Sequence, residues 1–406
     1  MPSADDTSDT LAAAQALLIP TYAPLPIVPV EGEGSTVRDR SGRDYIDLAG
    51  GIAVTSLGHN HPALRAALEQ QAGRLWHLSN IFANEPAIAL AQKLTDLTFA
   101  DRVFFANSGA EANEAALKLA RRHAYNNGHP EKYGIIALEG AFHGRTLFTV
   151  AAGGTPAYSE GYGPPPEGIS HVPPGDAEAL AAAVDERTCA VIIEPILGES
   201  GVRPLSPEYL RAAREICDRH DALLIFDEVQ TGAGRTGTLF AYEQLGVTPD
   251  VLTSAKGLGG GFPIGATLAA EPQASALGRA THGTTFGGNP LACAVAGAVI
   301  DEVSKPELLA NVAARHKQLT AGLAAADPDR TLFAEIRGAG LLIGAELTEP
   351  FTGRAKELQL ACLDAGVMTL IAGANVLRLA PALNLTEAEA VEGLQRLTAA
   401  VETLRP

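Results

Sequence analysis

The chain is poor in cysteine, has no surplus of basic residues and contains no long apolar run. Each shortage closes off a class of function. The four cysteines (Cys189, Cys217, Cys293 and Cys362) lie far apart and none forms a C-x-x-C pair, so zinc-binding and redox-motif readings have no support and no metal site is expected. Reduced, mostly buried thiols fit a cytoplasmic protein. Aspartate and glutamate (47) outnumber lysine and arginine (30), giving a formal net charge of -17. A nucleic-acid partner would want a basic stripe, which this balance argues against. Any arginine that meets an anionic substrate is then a local exception and a candidate binding group. No apolar stretch approaches the length of a membrane span. The opening MPSADDTSDT has neither the basic start nor the apolar core of a signal peptide. Internal repeats, a Walker phosphate loop and H-E-x-x-H are all absent.

What is present is ample core material: 46% of the 406 residues are hydrophobic, enough for two or three domains. The first dozen residues read as frayed, and Pro20 to Pro29 as extended. Val37 to Leu48 reads as a hairpin turning at Ser41-Gly42. The middle alternates strands with helical periods. Strands are expected at Val103–Phe105, Gly134–Leu138, Ala190–Ile196, Ala222–Phe226, Val251–Ser254 and Ile264–Ala270, with helices at Glu111–Tyr125 and Tyr209–His220. Such alternation predicts an α/β domain with a mostly parallel sheet, and the nearly continuous apolar strands imply helices on both faces. After about Leu291 a long helical stretch leads to two strands around Gly338-Ala339-Gly340. A helix and further strands are expected to finish the chain. This last region reads as a smaller α+β domain that takes in the N-terminal segment.

Two residues carry the clearest chemistry. Asp227 ends the strand ALLIF, at the edge where open α/β sheets bind ligands. Lys256 follows a second apolar strand and precedes Gly257 and Gly259-Gly260-Gly261. Singly, each has an ordinary explanation, a helix cap or a surface loop. Together they match pyridoxal 5'-phosphate (PLP), which needs a lysine for its aldehyde and an acid against its pyridine nitrogen. Asn107-Ser108-Gly109-Ala110-Glu111 lies between a strand and a helix. Ser108 and Glu111 have capping-box spacing, and a helix start of this kind also offers free N–H groups to a phosphate. Phe142-His143-Gly144-Arg145 follows another strand, so Phe142 is placed to stack on a ring. Arg145 sits in a glycine-punctuated loop at a strand end. His143, His59 and His61 read as structural hydrogen-bonders. Gly232-Ala-Gly-Arg-Thr-Gly237 matches G-x-G-x-x-G, but Asp-Glu-Val-Gln separates it from its strand, which argues against a dinucleotide fingerprint.

In order along the chain, NSGAEANEAALKLAR, AFHGRTLFTV, EPILGESG, IFDEVQTGAGRTG, TSAKGLGGGFPIG and HGTTFGGNPLACAVAG resemble the class III PLP aminotransferases. From YAPLPIVPVEGEGS to NVLRLAPALN the chain resembles the acetylornithine/succinylornithine aminotransferases. The resemblance implies fold type I, with a seven-stranded, mostly parallel sheet in a large domain (56–292) and a discontinuous small domain (1–55 and 293–406). It also implies a homodimer with shared active sites. Lys256 would hold the cofactor covalently, Asp227 would meet the pyridine nitrogen, Gln230 the ring hydroxyl, and Val229 would lie beside the ring. Phe142 would stack on it. Ser108, Gly109 and Ala110 would sit at the phosphate, and Thr285 would reach it from the other subunit. Arg145 and Thr284 would contact substrate. Arg378 would bind the carboxylate next to the reacting carbon of 2-oxoglutarate, with Glu199 pairing with Arg378 when that carboxylate is absent.

The implied activity moves the side-chain amino group of N2-acetylornithine or N2-succinylornithine to 2-oxoglutarate, giving glutamate, in arginine metabolism. Many acetylornithine enzymes have Thr where Ala110 stands. With Thr284-Thr285 and IAGAN before Val376, that departure leans toward the succinylornithine branch. Other ω-amines (ornithine, 4-aminobutyrate, N-succinyl-diaminopimelate) are the alternative donors. A catalytically inactive homologue is the alternative from another class, and the intact Asp227–Lys256 pair counts against it.

Overall fold

Residues 4–404 are described by a computed structural model. Seven strands from the middle of the chain form one sheet: β1 (Arg102–Ala106), β2 (Gly134–Leu138), β3 (Ile169–Val172), β4 (Thr188–Ile193), β5 (Leu223–Asp227), β6 (Val251–Ser254) and β7 (Gly265–Ala269). They lie in the order β1-β7-β6-β5-β4-β2-β3. From β6 through β5, β4 and β2 to β3 every pairing is parallel. β7 alone runs antiparallel to its neighbours β6 and β1. Strand β3 does not stand out in the sequence, because ISHV is short and half polar.

Successive strand residues point to opposite faces, and both faces are filled. Val191, Ile193, Leu224 and Phe226 pack with Leu210, Ala213 and Ile216 of the helix Pro207–Arg219 on one side. Ala190, Ile192, Leu223 and Ile225 pack with Ala116, Leu119 and Ala120 of the helix Gly109–Asn126 on the other. Burying each such branched side chain stabilises the fold by about 1.5–3 kcal/mol before conformational entropy is counted. All four cysteines are buried and unpaired, Cys217 and Cys189 in these two cores and Cys293 and Cys362 in a third.

Two four-stranded sheets surround this layer, and a two-stranded ribbon pairs Ile196–Leu197 with Arg203–Pro204. Residues Thr36–Asp39 and Asp44–Asp47 make the expected hairpin, and Gly42 takes a left-handed φ of 88° at its turn. A preceding strand, Pro29–Glu33, pairs with it, and Val367 pairs in parallel with Ile46. The other small sheet holds Phe333–Ala339, Leu342–Leu347, Val376–Leu379 and Leu370–Ile371. The long helical stretch divides into Pro290–Val303 and Pro306–Ala326, since Pro306 has no N–H to continue the first helix but is well suited to begin the second.

Three sequence expectations need correction. Ala4–Leu17 forms a helix, not a frayed end, and Arg40 Nη1 donates to Thr10 Oγ1 over 3.1 Å; residues 1–3 lie outside the described residues. The last element among the described residues is a helix, Glu387–Leu404, not a strand. Its start carries a reciprocal cap: Glu389 N donates to Thr386 Oγ1 (3.2 Å) and Thr386 N to Glu389 Oε2 (2.7 Å). The strand expected to run to Ile196 stops at Ile193, where Glu194 turns out of the ladder. As the interrupted spacing suggested, Gly232–Gly237 opens no helix. It wraps the buried Arg235, whose Nη1 donates to the carbonyls of Leu341 (3.0 Å) and Pro381 (2.5 Å).

Candidate active site

The parallel strands deliver their chemistry to one edge. Asp227 is the last residue of β5, Glu194 follows β4, and Lys256 stands two residues beyond β6. Asn107 and Ser108 follow β1, and Phe142 lies four residues past β2. Together they border a cavity of about 400 Å³. Ser108, Gly109, Ala110 and Phe142 line it, as do Arg145, Asp227, Val229, Gln230 and Lys256. Ligands of open α/β sheets bind at this edge.

Asp227 is buried, and its carboxylate is held at both oxygens. Its Oδ2 accepts from Asn113 Nδ2 (2.7 Å) and lies 2.8 Å from His143 Nδ1. Its Oδ1 accepts from Val229 N (3.0 Å). Thr253 Oγ1 donates to Asn113 Oδ1 (2.7 Å), and Asn113 Nδ2 also donates to His143 O (2.8 Å), so the orienting groups are themselves held. Asn113 was missed by sequence reasoning although it lies in the quoted NSGAEANEAALKLAR segment. Its signal is a polar residue on the buried stripe of a helix, four residues after Gly109.

Lys256 opens a single 3₁₀ turn with a left-handed φ of 43°. A non-glycine residue there stores strain, which clusters at functional sites. Its ammonium forms no hydrogen bond or ion pair with the described residues. Burial pushes its pKa below the ordinary lysine value and the Arg378 guanidinium adds to this, while Glu199, Glu194 and Asp227 oppose it. An unpartnered lysine biased toward the free amine suits a nucleophile.

At the other end of the cavity, Ser108 caps the helix Gly109–Asn126 by accepting from Glu111 N (3.2 Å), and Glu111 Oε2 accepts from Asn107 N (2.6 Å). The N–H groups of Gly109 and Ala110 have no intrahelical partner at this position. A Cβ at Gly109 would lie 2.8 Å from Val229 Cγ1, so the backbone approach there requires glycine.

Glu194 is a buried carboxylate that sequence reasoning also missed, because the apolar Ile196-Leu197 just beyond it make the strand read on past the acid. Its Oε1 accepts from Phe142 N (2.8 Å) and its Oε2 from Gly198 N (3.2 Å). Burial, reinforced by the Asp227 charge, pushes its pKa up to about 7. Gly198 leads into Glu199, whose Oε1 lies 2.7 Å from Arg378 Nη1. Arg378 Nη1 also donates to Gly198 O (3.0 Å) and Gln230 Oε1 (3.1 Å), and Gln230 Nε2 donates to Glu199 Oε1 (3.2 Å). Arg378 is buried while the Glu199 side chain is 28% exposed, so the acid is the member with room to leave. Burial alone would raise the Glu199 pKa, but Arg378, with smaller help from Lys256 and Gln230, holds it below the ordinary value.

Four expected site residues stand apart from the cavity wall: Glu199 and Arg378 reach it through Gln230, and Thr284 and Thr285 lie on a neighbouring loop. Thr284 Oγ1 accepts from Asn107 Nδ2 (3.3 Å) and Gly287 N (3.2 Å), which links it to the cavity only through Asn107. Thr285 is exposed on the same loop, beside Phe286. Among the described residues no group of three or more histidine, cysteine, aspartate or glutamate side chains could hold a metal ion. No helix there is long and apolar enough to cross a membrane.

A lysine and a buried acid converging at the carboxyl edge of such a sheet place the chain among the PLP-dependent transferases of fold type I. Within them it belongs to the class-III aminotransferases, whose family model matches residues 19–401. It is 58% identical to the acetylornithine aminotransferase of Pseudomonas putida over 388 residues, covering 96% of each chain. It is 55% identical to that of Vibrio vulnificus over the same share. Among solved structures, the N-acetylornithine aminotransferase of Stenotrophomonas maltophilia superposes with a TM-score of 0.85 at 42% identity (97% and 98% of the two chains). The ornithine aminotransferase of Toxoplasma gondii superposes with a TM-score of 0.94 at 32% identity (100% and 96%). The chain is thus a PLP-dependent transaminase, and its cavity suits that cofactor: a free lysine, a buried acid and a helix start with open N–H groups.

Proposed function

We infer that the chain transfers the side-chain amino group of an N2-acylornithine, acetyl or succinyl, to 2-oxoglutarate, yielding glutamate and the acylated semialdehyde. The observation that carries this reading is the Glu199–Arg378 pair (2.7 Å), joined to the cavity wall through Gln230. Such a donor reacts at a terminal CH₂–NH₂ that carries no carboxylate, whereas the acceptor has one beside its keto carbon. One site must therefore show a guanidinium to one substrate and neutralise it for the other. An unpaired buried guanidinium is costly, and an acid that can swing away resolves the conflict. The names of the curated relatives support the acetyl donor in particular.

The bound cofactor supplies an aldehyde for the amino group and a ring that takes up electrons when a proton leaves the substrate carbon. The rest of the work falls to the side chains. Asp227, held by Asn113, His143 and Val229 N, keeps the pyridine nitrogen protonated. Lys256 holds the cofactor covalently and then, as a free amine, moves the proton at the substrate carbon. Phe142 would stack on the ring, Val229 would lie beside it and Gln230 would face its hydroxyl. Ser108, Gly109 and Ala110 receive the phosphate. Arg145 and Thr284 take the distal part of the donor.

In this reading the enzyme is a cytoplasmic homodimer of protomers with a large domain (56–292) and a discontinuous small one (1–55 and 293–406). Each protomer lends Thr285 to its partner's phosphate site. Supporting the dimer, Thr285 sits beside exposed Phe286, which packs against His77 (ring centroids 5.1 Å apart) near exposed Leu75, Trp76, Ile81 and Phe82. An apolar surface of that kind marks an association site. Thr285→Ala should weaken PLP retention without dissociating the dimer; a monomer by sedimentation in the wild-type protein would overturn the shared-site reading.

A donor panel tests the function: N-acetylornithine, N-succinylornithine, ornithine, 4-aminobutyrate and N-succinyl-diaminopimelate, each with 2-oxoglutarate. An acylornithine should give the highest kcat/KM. The backbone likeness to the Toxoplasma enzyme makes free ornithine the donor to beat, and a preference for it would overturn the acylornithine reading.

A further inference from the structure

Arg145 is an unusual cation in this site. It lines the cavity yet forms no hydrogen bond or ion pair with the described residues, although the chain is strongly acidic. What it does touch is aromatic. Its Cζ lies 3.8 Å from the centroid of the Tyr158 ring and 5.4 Å from that of Phe142. The two rings meet edge to face at 6.0 Å, with an interplanar angle of 87°. Tyr158 belongs to the short helical turn Pro156–Ser159, in a separate loop from the one that carries Arg145.

We propose that Tyr158 is a positioning residue for donor specificity: its ring face fixes the guanidinium of Arg145 so that its N–H edge stays free for the substrate carboxylate. The inference rests on the reading of Arg145 as the distal carboxylate binder. Stacking on a ring face uses the flat surface of a guanidinium and leaves every in-plane donor available. An acidic partner would instead occupy those donors and compete with the substrate. Stacking thus restrains a long, flexible side chain without spending its hydrogen bonds, which lowers the ordering cost of binding. Phe142 extends the same logic to the cofactor: one aromatic corner would border both the ring and the residue that reads the far end of the donor. The Tyr158 hydroxyl makes no hydrogen bond with the described residues, so the ring face is the part that matters.

The test compares N-acetylornithine with N-acetyl-1,4-diaminobutane, the same donor without its carboxylate, using holoenzyme and 2-oxoglutarate. N-acetylnorvaline, which lacks the reacting amine, serves as a non-reacting competitor. Tyr158→Ala should raise the KM for N-acetylornithine and the Ki for N-acetylnorvaline about fivefold, with kcat changed less than KM. The loss with N-acetyl-1,4-diaminobutane should be much smaller. Tyr158→Phe should restore both constants, and Tyr158→Ala should add nothing in an Arg145→Ala background. Equal losses for both donors, or full additivity with Arg145→Ala, would overturn the proposal, since Tyr158 would then be general support for its loop. If Arg145→Ala weakens N-acetylornithine binding and Tyr158→Ala does not, the positioning role alone is wrong. If Arg145→Ala itself leaves N-acetylornithine binding intact, the reading of Arg145 falls and this inference falls with it.

Discussion

Asn113 Nδ2 donates to Asp227 Oδ2 over 2.7 Å, and both groups are buried. A helix that covers the sheet thereby aims the carboxylate that ends its central strand. Asp227→Asn keeps the shape but removes the charge, and it turns an NH₂ toward donors already pointing at that position. Loss of a preorganised electrostatic group commonly costs on the order of 3 kcal/mol of transition-state stabilisation. Steady-state kinetics should show kcat/KM lower by about a hundredfold or more. A change of only about twofold would show that another acid serves the ring nitrogen.

Lys256→Ala removes the amine placed on the cavity wall at the end of β6. The variant should still take up PLP non-covalently, since the helix start and Asp227 remain, but the bound cofactor should no longer be fixed by borohydride. Transamination should vanish. Turnover near wild type would remove Lys256 from its assigned role.

Much of this site was legible because its residues interrupt strong patterns. Asp227 closes a run of apolar residues, and Lys256 sits between an apolar strand and a glycine cluster. Ser108 and Glu111 announce a helix start by their spacing, which the structure places at Gly109. The residues that orient them were harder to see. Asn113 reads like any polar helix residue until the sheet that it faces is known. Glu194 is a lone acid whose two backbone partners, Phe142 and Gly198, come from different loops. Tyr158 lies 13 positions from Arg145 and reaches it only because two loops fold together. The terminal helices were misread for a related reason. Ala4–Leu17 has little amphipathic pattern, and the apolar run Val376–Leu379 ahead of the Thr386–Glu389 cap is the stronger signal of the two.

Packing beyond the cavity should also reach the cofactor. A Cβ at Gly265 would lie 2.3 Å from Ser108 O, a backbone atom that cannot rotate away. Gly265→Ala should displace the Ser108 cap of the helix Gly109–Asn126 and cost about 1–3 kcal/mol of stability. PLP dissociation, followed by loss of its visible absorption, should quicken in step with the fall in melting temperature. Unchanged cofactor retention would mean that the Ser108 cap does not contribute to holding the phosphate.

Glu228 gives a pH signature separate from catalysis. It is buried, and burial pushes its pKa from 4.5 up to about 7 despite hydrogen bonds from Tyr242 N (2.9 Å) and Thr231 Oγ1 (3.0 Å). The folded protein therefore holds a proton that the unfolded chain releases between these values. Stability from this group should be greatest below about pH 4.5 and decline as pH rises toward 7, by on the order of 3 kcal/mol. Urea midpoints across that range should fall more steeply for wild type than for Glu228→Gln. Parallel curves would assign the slope to other groups.

The switch between Glu199 and Arg378 can be tested one half-reaction at a time. In the donor half the reacting carbon brings no carboxylate, so Arg378 depends on Glu199 for neutralisation. In the acceptor half 2-oxoglutarate brings its own carboxylate and Glu199 must yield. Breaking one member of a buried pair typically costs about 3–5 kcal/mol, and the partial exposure of Glu199 should bring the cost below that range. The decisive measurement is single-turnover spectroscopy of Glu199→Gln, following the absorption of the bound cofactor with N-acetylornithine alone and then with 2-oxoglutarate alone. The expected result is a donor half-reaction slowed by at least about tenfold, with the acceptor half-reaction unchanged or faster. Equal slowing of both halves would contradict the switch and leave Glu199 as general support for Arg378.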